Sequence, residues 1–177
     1  VVEGEETPLS NALNRILAKD AIAMESHPIS DNAAVDGYAF AHAPYLAGPM
    51  RIVPGRSAAG APFAGALQPG QAVRLLTGAV VPAGADTVML DEDSRIEGAT
   101  LHAPMGLKQG ANLRKAGENV AAGQPALTQG ARLTPQGLSH AAAAGLTHVT
   151  TCRPLKVAIL STGDEVIAPG APTRPGA

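Results

Sequence analysis

The chain has 177 residues, a formal net charge of -2 and only 2% aromatic residues. That charge gives no electrostatic basis for a polyanionic partner such as nucleic acid, and no apolar run approaches the roughly 20 residues that span a bilayer. One cysteine, Cys152, excludes an intrachain disulfide framework and suits a reducing compartment. With 20 glycines, 15 prolines and no tryptophan, the composition predicts short elements joined by tight turns around small cores of Val, Leu, Ile and Ala. Residues 1–6 lack a basic stretch followed by an apolar one, so no signal peptide is expected and the expectation is a soluble, cytoplasmic protein.

Thr7-Pro8 reads as a helix start, and Leu9, Leu13, Ile16 and Leu17 recur at helical spacing, predicting an amphipathic helix that ends near Lys19. From Ala21 to about Gly110 the pattern changes to short β-like runs between Gly, Pro and Asp. Strands are predicted over 50–53, 72–76 and 87–90, with a hairpin over 94–102 that turns at Glu97-Gly98. A second Thr-Pro pair, Thr134-Pro135, opens a helix that runs through the alanines at 141–144 and is closed by Gly145. A strand over 146–152 follows. The apolar run 156–160 reads as a strand buried on both faces of a parallel sheet, yet few residues follow it from which such a sheet could be built. The fold class is therefore mainly β with a few α-helices, an α+β chain whose middle is an irregular β-rich domain.

The densest polar chemistry lies in Asp31-Asn32-Ala33-Ala34-Val35-Asp36-Gly37-Tyr38-Ala39-Phe40. Asx residues stabilise turns, and Gly37 permits a close approach, so the run reads as a turn feeding a strand. Asp36 there either steadies the turn or orients a substrate group or a hard cation such as Mg2+. Thr77-Gly78 places a hydroxyl at a strand end, where oxyanion contacts are often built. Asp86 reads as structural. Arg114, Lys115 and Glu118 share a loop that either faces an anionic ligand or carries solvated surface charges. His27, His42, His102, His140 and His148 have no zinc-motif spacing and read as structural or surface residues, and Cys152 as a small buried one.

The first of these segments resembles the Asp-Asn-Ser-Ala-Met-Asp-Gly-Tyr-Ala signature of the molybdopterin molybdenumtransferases, the MoeA and gephyrin family, with Ala33 for Ser and Val35 for Met. Four further segments match in the family's order: Ala59-Gly60-Ala61-Pro62-Phe63; Arg74-Leu75-Leu76-Thr77-Gly78-Ala79-Val80-Val81-Pro82-Ala83-Gly84-Ala85-Asp86-Thr87-Val88; Gly117-Glu118-Asn119-Val120; and Leu160-Ser161-Thr162-Gly163-Asp164-Glu165. The resemblance covers nearly the whole chain.

The resemblance implies an elongated N-terminal region with a β-rich domain at 28–111 inserted into a small discontinuous α/β domain made of 1–27 and 112–154. Residues 155–177 would then begin the α/β domain that binds molybdopterin. It implies molybdenum-cofactor biosynthesis, in which molybdate is inserted into adenylylated molybdopterin at a divalent-metal site, Mg2+ being the expected ion, and AMP is released. Asp36, Thr77, Glu118 and Glu165 would be catalytic. Arg114, Lys115, Ser161, Thr162 and Gly163 would bind substrate, and Asp164 with Glu165 would hold metal. The full-length protein would be a homodimer, and this chain alone is expected to fold without inserting molybdenum. Asn119 departs from the family's Gly-Glu-Asp, an amide replacing the second carboxylate. The rival reading is a non-catalytic scaffold or protein-binding module of gephyrin-like type. A generic phosphotransferase is disfavoured because no phosphate-binding glycine loop is present.

Overall fold

The computed structural model describes residues 3–46, 48–173 and 175. In chain order the strands are β1 (Gly4–Pro8), β2 (Ala21–Ile22), β3 (Asn32–Ala33), β4 (Gly37–Phe40), β5 (Met50–Ser57), β6 (Gln71–Leu75), β7 (Thr87–Leu90), β8 (Arg95–Glu97), β9 (Thr100–His102), β10 (Leu113–Arg114), β11 (Pro125–Leu127) and β12 (His148–Cys152). Two short helices join them, α1 (His42–Tyr45) and α2 (Pro135–Ala143). The protein is mainly β with few helices, as its punctuation by Gly and Pro predicts.

The central element is a six-stranded sheet in the order β7-β4-β6-β5-β9-β8. Strand β4 lies between β6 and β7, antiparallel to both, with Gly37 opposite Leu75 on one side and Leu90 on the other. All four residues of β4 are buried, because side chains alternate between two covered faces. Tyr38, Phe40, Ala72 and Met89 pack on one face with Tyr45, Met50 and Leu101. Ala39, Val73, Leu75 and Val88 pack on the other with Ala33, Leu67 and Ala79.

A separate group of contacts draws the chain's early and late segments together. Strand β1 pairs antiparallel with β12, β2 with β11 and β3 with β10. Ala12, Leu17, Ala21, Leu133 and Val149 form a core beneath them, beside a smaller one of Ala23, Val120 and Ala144. Two buried hydroxyls, Thr7 and Thr151, satisfy each other across the β1–β12 pair at 2.7 Å.

The predicted helix over 7–19 does not form. Residues 4–8 are instead a strand, followed by a single 3₁₀ turn at Leu9–Asn11, and Asn14 has φ 65°, which an α-helix cannot contain. Of the supposed apolar stripe, Leu17 is 1% exposed but Leu13 is 47% exposed. Residues 4–8 pair with the 148–152 strand, and the Asn14, Leu17 and Ala18 N–H groups bond to Leu133 O, Ala131 O and Thr150 O, so long-range partners have overridden the local spacing of four apolar residues. The 156–160 run is likewise not a strand. It is irregular, and Val157, Ile159 and Leu160 are exposed, because the described residues offer no parallel neighbour on which it could pair.

Other expectations hold. Thr134 caps α2 by accepting the Gly137 N–H at 3.2 Å, and the helix ends with the Gly145 and Leu146 N–H groups bonded to Ala142 O and Ala141 O. Strands β8 and β9 form the expected hairpin, but it turns at Gly98-Ala99 and not at Glu97-Gly98, because Glu97 is still paired with Thr100. One reading departs from the structure: Cys152, expected to be buried, is only half-buried.

Gly37 is the tightest packing point of the central sheet. A Cβ there would overlap the Met89 carbonyl oxygen and lie 2.8 Å from the carbonyl carbon, both rigid backbone of β7. Gly137, in α2, has only ordinary contacts at 3.6 Å and beyond. Urea denaturation of Gly37→Ala should therefore show a loss above about 2 kcal/mol, whereas Gly137→Ala should gain up to about 1 kcal/mol from the lower helix cost of alanine.

Candidate functional site

The close approach at Gly37 places the end of β6 beside the start of β4, and the residues just outside the two strands meet there. Asp36 Oδ1 accepts the Thr77 backbone N–H at 2.7 Å and the Thr77 hydroxyl at 2.6 Å. Both bonds fall on one carboxylate oxygen. Oδ2 accepts no hydrogen bond among the described residues, and Asp36 is exposed. Thr77 thus orients the carboxylate while leaving its other oxygen to solvent.

Behind this pair, Arg74 of β6 forms an ion pair with Asp91 and lies over the Tyr38 ring, 5.3 Å from its centroid. The Asp91 N–H donates to Asp36 O at 3.1 Å, so the backbone of Asp36 is also tied to the segment that follows β7. The Thr77 hydroxyl bond, then the Thr77 N–H bond, hold the Asp36 carboxyl below its ordinary value of 3.8; slight desolvation opposes them and the Arg74 charge adds to them.

A second cluster forms where β10 pairs with β3. Asp31 Oδ2 accepts from Lys115 Nζ at 2.6 Å and Oδ1 from the Ala116 N–H at 2.9 Å. Glu118 Oε2 accepts the Lys115 N–H at 3.0 Å, and Oε1 faces Arg114 Nε at 3.3 Å. Arg114 Nη2 also donates to Asn119 Oδ1 at 2.7 Å. The Lys115 side-chain bond lowers the Asp31 pKa, and the Lys115 N–H, followed by Arg114, lowers that of Glu118.

The two clusters share one stretch of chain, residues 31–36. Ala33 exchanges backbone hydrogen bonds with Ala79 and Gly78, and the Val81 N–H donates to Asp31 O. Asp36 and Thr77 stand at one end of that stretch, and Asp31, Lys115, Arg114 and Glu118 gather about the other. Asp31, Arg74 and Asp91 were not singled out in the sequence. Asp31 belongs to the same polar run as Asp36, and Arg74 is the lone charge in the otherwise apolar 72–76 strand; nothing in the sequence ties Asp91 to either.

Asp86 is structural, as read. Its carboxylate takes the His42 N–H at 2.7 Å, the Gln109 amide at 2.6 Å and the Thr87 hydroxyl at 3.0 Å, tying α1 and the 107–110 loop to β7. Desolvation works against its ionisation, but these three bonds outweigh it and the pKa is lowered. His42 is also structural, its Nε2 lying 2.7 Å from Leu107 O.

Ser161, Thr162, Gly163, Asp164 and Glu165 lie in exposed irregular chain, and the structure does not bring them to Asp36, whose carboxylate is held by Thr77. Among the described residues, no three His, Cys, Asp or Glu side chains gather closely enough to hold a metal ion. No described helix is long and apolar enough to cross a membrane.

The chain has relatives among known proteins. Residues 1–145 match the family model of the MoeA N-terminal region, domains I and II. The chain belongs to this family. It is 40% identical over 169 residues to a molybdopterin molybdenumtransferase of Haemophilus influenzae, covering 95% of this chain and 42% of that protein. A molybdopterin molybdenumtransferase of Synechococcus elongatus is 37% identical over 175 residues, covering 96% and 43%. The crystal structure of a molybdopterin biosynthesis MoeA protein from Pyrococcus horikoshii superposes with a TM-score of 0.84 at 29% identity, over 98% of this chain and 46% of that one. The chain therefore spans less than half the length of these relatives, and the MoeA N-terminal region accounts for most of it.

Since the folded-state pKa of Asp36 is depressed, its contribution to stability is complete above the ordinary carboxylate range and is lost as pH falls through its own midpoint. A carboxyl 13C titration should place that midpoint below 3.8. Thr77→Val, which removes the hydroxyl but keeps the N–H, should move it up towards the ordinary value; an unmoved midpoint would show that the hydroxyl bond does not govern the ionisation.

Proposed function

We propose that the chain is the N-terminal part of a molybdopterin molybdenumtransferase, a protein of the relatives' full length that inserts molybdate into adenylylated molybdopterin with release of AMP. Family membership supports the class of reaction. The single observation on this chain that carries the reading is the Asp36 carboxylate, fixed through Oδ1 by both donors of Thr77 with Oδ2 left over.

In this reading Asp36, Thr77 and Glu118 are the catalytic groups of the folded part, and Arg114 and Lys115 face the anionic substrate. Such a reaction asks mainly for positioning of phosphates and an oxyanion, with fixed donors set against developing charge. A carboxylate whose orientation is set by a neighbouring N–H and O–H needs little rearrangement to receive a ligand. No nucleophilic Ser or Cys is required.

Mg2+ fits in one limited way. It commonly takes one or two carboxylates and completes an octahedral shell with water and substrate phosphate oxygens, and Asp36 Oδ2 is a single oxygen of that kind. When bound, the ion would neutralise phosphate charge. Asp164 and Glu165, with Ser161, Thr162 and Gly163, would join the site in a protein of the relatives' full length, so the present chain alone is expected to fold but not to insert molybdenum. The same reading carries the family expectations of a homodimer and a cytoplasmic setting.

Molybdate insertion measured with a protein of the relatives' full length, unmutated and as Asp36→Ala, tests this. The expected result is turnover in the first and a loss of at least about a hundredfold in the second, on the scale of removing one fixed charge-stabilising group, with the fold retained. An unaffected Asp36→Ala would return this residue to a turn-stabilising role. No turnover in the unmutated protein would favour the scaffold reading.

A further inference from the structure

The polar side chains buried among the described residues are those of Thr7, Ser57, Thr87 and Thr151. Thr7 and Thr151 satisfy each other, and Thr87 bonds Asp86 and the Gly110 N–H. Ser57, at the end of β5 and 0% exposed, has partners of a different kind. Its carbonyl oxygen accepts the Leu76 N–H at 3.0 Å. Its hydroxyl donates to Val80 O at 2.9 Å and accepts the Phe63 N–H at 3.2 Å. A hydroxyl has one proton to give, and the Val80 bond uses it.

Leu76 and Val80 are the two ends of the turn that contains Thr77. Ser57 closes this turn from one side, with its backbone at the first end and its side chain at the other. Ala33 holds the turn from the opposite side, its N–H donating to Ala79 O and its carbonyl accepting the Gly78 N–H, both at 2.9 Å. Between the two, Thr77 directs its N–H and its hydroxyl to Asp36. The third Ser57 bond ties in the 58–63 loop, which is closed on itself by reciprocal Ala58 and Ala61 bonds at 3.0 Å. That loop lies against the turn at Gly78, where a Cβ would come within 3.8 Å of the Ala59 Cβ. Apart from Asp36, Ser57 is the one residue whose side chain bonds the 76–80 turn among the described residues.

We propose that Ser57 is a positioning residue for the Asp36–Thr77 pair: its buried hydroxyl locks the Thr77 turn and the 58–63 loop into one wall, so that Thr77 keeps both donors on the carboxylate. Ser57 is closed to solvent and acts only through the turn. Without the hydroxyl, Val80 O and the Phe63 N–H lose their partner in a place closed to water, and the turn and the loop must shift to find others. The step from a held pair to turnover rests on the molybdenum-transfer reading; the clamp itself does not.

Amide hydrogen exchange of this chain, unmutated and as Ser57→Ala, tests the clamp. Exchange at Thr77 and Phe63 should speed up at least about tenfold more than at Val73 and Leu75, the mark of a local opening beside an intact sheet. Thr151→Val, which breaks the other buried hydroxyl pair, should not produce that difference. Ser57→Cys, whose thiol is a weak donor and acceptor, should fall between the unmutated chain and Ser57→Ala, and it serves if Ser57→Ala does not fold. In a protein of the relatives' full length, Ser57→Ala should lower kcat for molybdate insertion at least about tenfold with KM little changed, as expected for a small misplacement of reacting groups. The proposal is overturned if Thr77 and Phe63 gain no exchange relative to Val73 in either Ser57 variant, or if they do and turnover is unchanged. In the second case the Asp36→Ala turnover decides separately whether the molybdenum-transfer reading also fails.

Discussion

The contact between Gly37 and the Met89 carbonyl is the constraint on which the rest of the candidate site depends. Only a residue without a Cβ lets β4 lie that close to β7, and β4 must lie there to be flanked by β6 on its other side. With three strands in register, the residue before Gly37 and the residue two beyond Leu75 fall together. Asp36 and Thr77 are 41 positions apart in sequence, yet two hydrogen bonds join them. Glycine is thus required for packing, and the geometry of the Asp36–Thr77 pair follows from it.

The charges around this frame serve placement more than stability. Exposed ion pairs contribute about 0–1 kcal/mol each, whereas covering both faces of β4 removes Phe40, Val73, Val88 and Met89 from water entirely, at about 1.5–3 kcal/mol for each such side chain. The sheet is held by its apolar faces. What the ion pairs and charged hydrogen bonds add is direction: Arg74 anchors Asp91 at the back of Asp36, and Lys115 engages Asp31 so that Arg114 is left with a weakly held carboxylate and a neutral amide.

The elements legible in the sequence were those decided locally. Thr134-Pro135 with Gly145 contains its own start and stop signals, and β8–β9 turns within a few residues, so tertiary context had little to override. The helix expected over 7–19 failed for the opposite reason: the backbone of that stretch is bonded to residues 131–133 and 147–151, far along the chain, and four apolar residues at helical spacing cannot report those partners. The 156–160 run looks like a parallel strand but has no strand to pair with among the described residues. Of the site, Asp36 and Thr77 were visible as chemistry-bearing residues, but only the family resemblance joined them, because no local rule pairs positions so distant. Arg114, Lys115 and Glu118 were legible as a charged loop. Their distribution over Asp31 and Asn119 was not, since it depends on the β3–β10 pairing of two residues each.

The central claim is that Asp36 presents one carboxylate oxygen to a ligand while Thr77 holds the other. A crystal structure of a protein of the relatives' full length with its substrates bound tests this most directly. The account predicts Asp36 Oδ1 still within hydrogen-bond distance of the Thr77 N–H and hydroxyl, with Oδ2 touching the substrate or an ion bound to it. A substrate bound elsewhere, with Asp36 Oδ2 facing only solvent, would contradict it.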